Sequence, residues 1–231
     1  MEDIERYGDY NEIDEEPGGD KNHVATILKV VIIALCLLVV GVVLFRVILF
    51  NYYPKEMKTI HFNDELTEYY NSNDGDIDAL TQKLRAPYDD PDFASFMADN
   101  LIVIRGAGQL QLSIRYNSSI FDTIEEKYGV RLDKKRDDNF IFELEYVPFD
   151  KSVPAYKTGE LDYSSTDRAL MYTYYKLVFD GIEFVDENDW IRLKITIKDI
   201  PDAEPYYILV YENVEKNLTE YKLSGKERPN G

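Results

Sequence analysis

Ile191-Arg192-Leu193-Lys194-Ile195-Thr196-Ile197-Lys198 alternates apolar and polar residues without a break. Successive side chains on a strand point to opposite faces, so this run predicts a strand with one face buried and one in water. The same period recurs upstream. Leu110, Leu112, Ile114 and Tyr116 alternate with Gln111, Ser113 and Arg115, and Phe140, Phe142, Leu144 and Tyr146 alternate with Ile141, Glu143 and Glu145. Residues 170–179, 182–185, 206–211 and 221–223 are rich enough in aromatic and branched residues to add strands. Asp180-Gly181 between two of them predicts a hairpin through a type I′ turn, which needs positive φ at both central residues. One helix interrupts the series at 119–128. Ser119 caps it with Asp122 three residues on, Ile120, Ile124 and Tyr128 form its stripe, and Gly129 stops it.

These runs amount to about seven or eight strands within residues 100–223, the size of an immunoglobulin-like or fibronectin-like sandwich. The stretch Ile200-Pro201-Asp202-Ala203-Glu204-Pro205-Tyr206-Tyr207-Ile208-Leu209-Val210 resembles the tyrosine corner of fibronectin type III domains, from which it departs by a proline beside the first tyrosine. The expected fold is therefore mainly β. It is an immunoglobulin/fibronectin-like antiparallel β-sandwich with one inserted short helix, preceded by a single transmembrane α-helix.

That helix is read from residues 30–50, where Arg46 is the one charge. A helix of this length spans about 30 Å, a bilayer core. Lys29 marks one boundary, Arg46 can snorkel to the other, and Tyr52 and Tyr53 follow as an interfacial aromatic belt. A cleaved signal peptide needs a short basic start and a small-residue cleavage site, and neither is present. Ala34 and Gly41 share one face of the helix and offer a close-approach contact for a homodimer. The chain divides into a disordered acidic tail (1–23), the transmembrane helix (24–50), a stalk with short helices (51–99), the β-sandwich (100–223) and a flexible tail (224–231). In the stalk, Ile77, Leu80 and Leu84 behind Asp76 predict one short helix, and Phe93, Phe96 and Met97 a further helical turn. Lysines and arginines tie on the two sides of the membrane helix. Orientation then rests on the habit by which a short tail stays inside and the larger C-terminal part crosses, which makes the β domain extracytoplasmic.

The chain carries 44 acids against 26 bases, a net charge of -18. Such a surface repels phosphates, so nucleic acid and anionic lipid headgroups are poor candidate ligands, and no nucleic-acid partner is expected. Cys36, the one cysteine, lies in the hydrophobic helix, so the β domain has no disulfide, thiol nucleophile or thiolate ligand. His23 and His61 are the two histidines, and both fall outside 100–223. Neither a Ser-His-Asp relay nor a usual zinc site is expected in the sandwich. Glu143 and Glu145 point outward from one strand, as solvated acids do, although paired carboxylates can run glycoside chemistry. Asn73-Asp74-Gly75-Asp76-Ile77-Asp78 fails as a calcium loop, because Thr81 stands where a glutamate is required, and Asp186-Glu187-Asn188-Asp189 reads as a turn. Tyr10-Asn11-Glu12-Ile13 has the form of a phosphotyrosine or sorting motif.

No catalytic, cofactor-binding or metal-binding residues are assigned, and the chain is not expected to be an enzyme. Tyrosine is abundant, at 19 residues against one tryptophan. Tyr172, Tyr174 and Tyr175 share one expected strand and Tyr206, Tyr207 and Tyr211 another, so some rings must face outward as a partner-binding surface. The expected function is a single-pass, membrane-anchored, extracytoplasmic β-sandwich that binds or assembles with another protein. The alternatives are a carboxylate-dependent enzyme or enzyme subunit, and a purely structural envelope protein.

Overall fold

The computed structural model describes residues 19–84, 96–169, 171–184, 190–212, 218–223 and 227. The Tyr10 motif, the turn at 86–91, Phe93 and the acidic loop at 186–189 lie outside the described residues. The chain forms two units, Met1–Tyr52 and Tyr53–Gly231.

In the first unit, α1 (Gly19–Asn51) is 33 residues long and begins before residue 24, inside the expected acidic tail. From Val24 to Ile48 its apolar side chains are exposed all round. Among the described residues it is the one helix long and apolar enough to cross a membrane. A helix without a polar face gains nothing from water on any side and is covered only by lipid or protein.

The second unit is built outward from the clearest alternating strand, β8 (Trp190–Ile197), whose Ile191, Leu193, Ile195 and Ile197 are buried. It pairs antiparallel with β4 (Phe140–Val147) on one side and β9 (Tyr206–Glu212) on the other, and β5 (Tyr156–Lys157) joins β4. The second sheet has six strands: β1 (Ala79–Lys83), β2 (Phe96–Ile104), β3 (Gln109–Asn117), β6 (Glu160–Ala169), β7 (Tyr172–Asp180) and β10 (Thr219–Glu220). Their order is β10-β1-β2-β3-β7-β6, all antiparallel; in the four-stranded sheet it is β5-β4-β8-β9. Inner faces of the two sheets share one core, in which Phe96 packs edge-on against Phe140 (5.1 Å) and Tyr116 (5.6 Å). The inserted helix, α4 (Ile120–Tyr128), adds Ile120, Phe121 and Ile124 to that core. Gly129 ends it in the left-handed conformation as expected, but the Ser119 hydroxyl makes no cap hydrogen bond.

Residues 53–83, expected as stalk, fold as part of this unit. After α2 (Lys55–Lys58) and α3 (Asp64–Ser72), buried Ile60, Leu66, Tyr70 and Ile77 form a second core with Ala79, Ile102 and Ile104. Leu101 and Val103 belong to the sandwich core while their neighbours Ile102 and Ile104 belong to this one, so the six-stranded sheet is covered on both faces. The helix expected behind Asp76 is instead β1, in register with β2 from Ala79↔Ile104 to Lys83↔Asn100. Phe96 and Met97, expected in a helical turn, open β2. In both places a short apolar spacing fits either period, and cross-strand pairing decides it. Tyr69 on α3 lies so close over the β2–β3 connection that a β-carbon at Gly106 would meet its phenolic oxygen at 1.9 Å, so a side chain there would have to push the Tyr69 ring aside.

The hairpin expected at Asp180-Gly181 is absent. Gly181 has positive φ (68°), but Asp180 remains in β7, and the Ile182 N–H then donates to the Gly108 carbonyl (2.8 Å). β7 pairs with β3 and β6 rather than with the residues that follow it.

The polar face of β3, read as a solvated face, is buried: Gln109, Gln111, Ser113 and Arg115 all lie beneath the 53–63 segment. From Met57 to Asn63 every second residue is held from below. The Met57 carbonyl accepts from the Ser113 hydroxyl, and the Thr59 carbonyl from Lys176 Nζ (2.9 Å). The His61 carbonyl accepts from Gln111 Nε2 (2.7 Å), while its N–H donates to Gln111 Oε1 (2.8 Å). Asn63 Oδ1 accepts from Gln109 Nε2 (3.0 Å). Tyr53 closes the row, lying over the Arg115 guanidinium (4.9 Å) and edge-on to Tyr174 (4.9 Å).

This arrangement fixes the smallest foldable fragment. A fragment of residues 53–223 is expected to melt cooperatively with a β-type circular dichroism spectrum. The 100–223 fragment, which lacks β1 and the Phe96 end of β2 and bares the row of β3 amides, is expected to be unfolded or aggregated. A cooperative melt for the shorter fragment would contradict this boundary.

Candidate functional site

Two surfaces of the second unit carry chemistry, and they lie on different sheets. The first is the outward face of the four-stranded sheet. Its centre is charged: Arg192 makes two hydrogen bonds to Glu145 Oε2 (2.8 and 2.6 Å) and lies 3.9 Å from the Tyr207 ring centroid. Lys194 stands 3.4 Å from both Glu143 and Glu145. The glutamates are therefore bound to cross-strand cations. Around this centre stand exposed apolar side chains: Ile141 (44%), Leu209 (42%) and Trp190 (48%), with Phe149 (73%) just beyond β4. Exposing half of the only tryptophan leaves a large apolar area in water, and an aromatic and arginine-rich surface of this kind is typical of protein interfaces.

The second is a cleft of about 470 Å³ between residues 56–61 and β6. β6 lies at the edge of its sheet, and its sequence, Glu160-Leu-Asp-Tyr-Ser-Ser-Thr-Asp-Arg-Ala, has no apolar period. The floor is Lys176, 3% exposed, which stands in register between Ser113 of β3 and Ser165 of β6. Its neighbours Tyr175 and Leu177 face the sandwich core, so the ammonium faces the segment. Among the described residues no carboxylate lies within ion-pair distance of it. Burial pulls its pKa down from the usual 10.5 to about 8, and the charge of Glu227 offsets this in part. Above it the His61 ring stacks on Tyr163 with centroids 3.6 Å apart. Burial and Lys176 both lower the His61 pKa, while Asp162 and Asp180 act the other way. Glu56 and Asp167 are exposed at the rim.

Beside the cleft, Asn63 Nδ2 donates to Asp180 Oδ2 (2.7 Å) and Asp162 Oδ2 (2.8 Å), and Gln109 Nε2 donates to Asp180 Oδ1 (2.7 Å). Burial raises the Asp180 pKa against those two amides. In the loop tested above for calcium, Asp76 accepts from the Ile77 N–H and Asp78 from Tyr69 and the Gly106 N–H, so these carboxylates hold turns.

The expected site residues are divided by the structure. Tyr174, Tyr175 and Tyr211 are buried and present no ring for a partner. Tyr172 stacks on Arg115 (4.8 Å), Tyr206 packs against Phe96 (5.2 Å), and Tyr207 alone of the six lies on the outward face with Arg192. Lys29 and Arg46 lie on α1 and Tyr52 is exposed, but Tyr53, expected in the interfacial belt, belongs to the second unit. Ala34 and Gly41 both lie in α1. His61, expected outside the β domain, is in the cleft wall. Lys176 was missed, although a lone lysine in an otherwise apolar and aromatic strand is a signal. No family model, curated protein or solved structure matches the chain.

The lysine gives a pH signature. The unfolded chain holds the Lys176 proton up to about 10.5 and the folded chain only to about 8. Between these values the unfolded state binds more protons, so stability rises with pH, at a slope approaching about 1.4 kcal/mol per unit. Burial raises the Tyr53 and Tyr175 phenols, which lowers stability as pH passes about 10 and leaves the window from about pH 8 to 9.5 to the lysine. Lys176→Met is expected to flatten the rise in thermal midpoint across that window; an unchanged slope would remove Lys176 as its source.

Proposed function

We propose that the chain is a membrane-anchored, extracytoplasmic protein-binding module. In this reading α1 is the anchor and the outward face of β4, β8 and β9 is the contact surface. The observation that carries it is the half-exposed Trp190 beside Leu209, Ile141 and the Tyr207–Arg192 stack, on a sheet whose other face is fully committed to the core. Tryptophan, tyrosine and arginine dominate binding energy at protein interfaces, because each brings a large rigid area and a polar handle. Presenting a sheet face in this way is how immunoglobulin-like and fibronectin-like modules engage partners, and the likeness proposed here is one of use. The cross-strand pairs Arg192–Glu145 and Lys194–Glu143 keep the centre of the face preorganised, which lowers the ordering cost of association.

The test is made in intact cells. A photo-crosslinking amino acid at Leu209 is expected to form one dominant adduct, and Trp190→Ala to reduce it by roughly thirtyfold, the effect of losing about 2 kcal/mol at a hot spot, while the melting midpoint holds. Protease added from outside is expected to remove residues beyond about 60 and to spare an N-terminal tag. An adduct indifferent to Trp190→Ala would remove the face from the proposal, and a protected C-terminus would place the module in the cytosol.

A further inference from the structure

We propose that the cleft between residues 56–61 and β6 binds a small zwitterion of the amino-acid class, its carboxylate against Lys176 and its ammonium toward Glu56 and Asp167. This site is separate from the protein-contact face and does not depend on it. Three observations converge. The cleft, about 470 Å³, falls in the size range of small-molecule sites. At its floor is an ammonium that the fold buries without an ion-pair partner among the described residues; its one recorded hydrogen bond goes to the Thr59 carbonyl. An ammonium has three donors, so two remain for a ligand. Glu227 is the one charge that acts on it, from beyond ion-pair distance, and an entering carboxylate supplies the direct partner that burial of a charge calls for.

The rim determines the rest of the ligand. Glu56 on α2 and Asp167 on β6 are exposed carboxylates flanking the opening from its two sides. They repel a dianion such as phosphate, and Lys176 repels a simple cation at the floor. One positive charge deep and two negative charges shallow match a ligand with a carboxylate at one end and an ammonium at the other. Ser165, in register with Lys176 on the same face, lines the space between, and its hydroxyl can exchange hydrogen bonds with either end.

The experiment uses the full chain in detergent micelles and saturation-transfer NMR. Each common free amino acid is the probe, with acetate and ethylamine as the two half-ligands. At least one amino acid is expected to bind about tenfold or more tighter than acetate, and ethylamine not to bind. Lys176→Met should abolish amino-acid and acetate binding alike. Because Lys176 also ties down the Thr59 carbonyl, that variant can fail to fold. The exposed pair Glu56→Gln with Asp167→Asn then decides, and it should bring amino-acid affinity down to that of acetate. Absence of binding by every amino acid, acetate equal to the best of them in the native chain, or binding unaffected by the rim pair would each overturn the assignment.

Discussion

The row of buried side chains that holds the 57–63 backbone from below is the constraint on which the second unit depends. Gln109, Gln111, Ser113 and Lys176 are polar groups with almost no solvent access; Ser113 and Lys176 bond only to that segment, while Gln109 and Gln111 also bond to Asp180 and to each other. An orphaned buried amide or carbonyl costs about 1–3 kcal/mol, so a half-docked segment is worse than either a docked one or an open sheet. Gln111 is the sharpest case, since it both donates to and accepts from His61 and fixes the segment's register to one residue. A slip by one would offer the row side chains in place of carbonyls. Docking is therefore all or none, and one wall of the cleft exists only in the docked state.

This explains why some of the fold was legible in the sequence and some was not. β4 and β8 were read from period two because water on one side and core on the other is the environment that period reports, and β9 from its aromatic and branched residues. α1 was read from length and apolarity, and α4 from its stripe and its glycine stop. The alternation of β3 was equally clear and was misread, because Gln111 and Ser113 look the same facing water or facing a backbone. Periodicity records which side chains are polar and is silent on what satisfies them. β6 carried no signal at all: it is an edge strand, exposed on most of its length, and no core residue sets its phase. The tyrosines were ambiguous for a related reason. Their rings suit a core and their hydroxyls suit a surface, so Tyr175 and Tyr207 cannot be told apart until the register of their strands is known.

The two sheets treat their outward lysines and arginines differently, and the difference separates the two candidate surfaces. On the four-stranded sheet, register sets Arg192 opposite Glu145 and Lys194 opposite Glu143, so each cation meets an anion within its own plane. Those pairs are partly exposed and contribute little stability, but they neutralise a face that is then free to be judged by its aromatics. On the six-stranded sheet, register sets Lys176 between Ser113 and Ser165, which carry no charge. The segment above it offers a carbonyl and the stacked His61, and a neutral imidazole adds nothing to balance an ammonium.

In a chain with a net charge of -18, a buried lysine with no ion pair among the described residues, and only the charge of Glu227 acting on it, is not explained by any shortage of acids. Asp162 and Asp180 act on His61 in the wall of the same cleft, yet Asn63 donates to both and Gln109 to Asp180. Those amides belong to the same row that docks the segment, so the interaction that closes the fold also holds these two carboxylates in place. β6 completes the arrangement. Its polar sequence, with a bulge between Leu161 and Tyr163 and charges at Asp162, Asp167 and Arg168, discourages pairing with another strand and keeps the edge open to solvent. An edge built to refuse strands, over a cation with no direct ion pair among the described residues, favours a small charged guest over a polypeptide one.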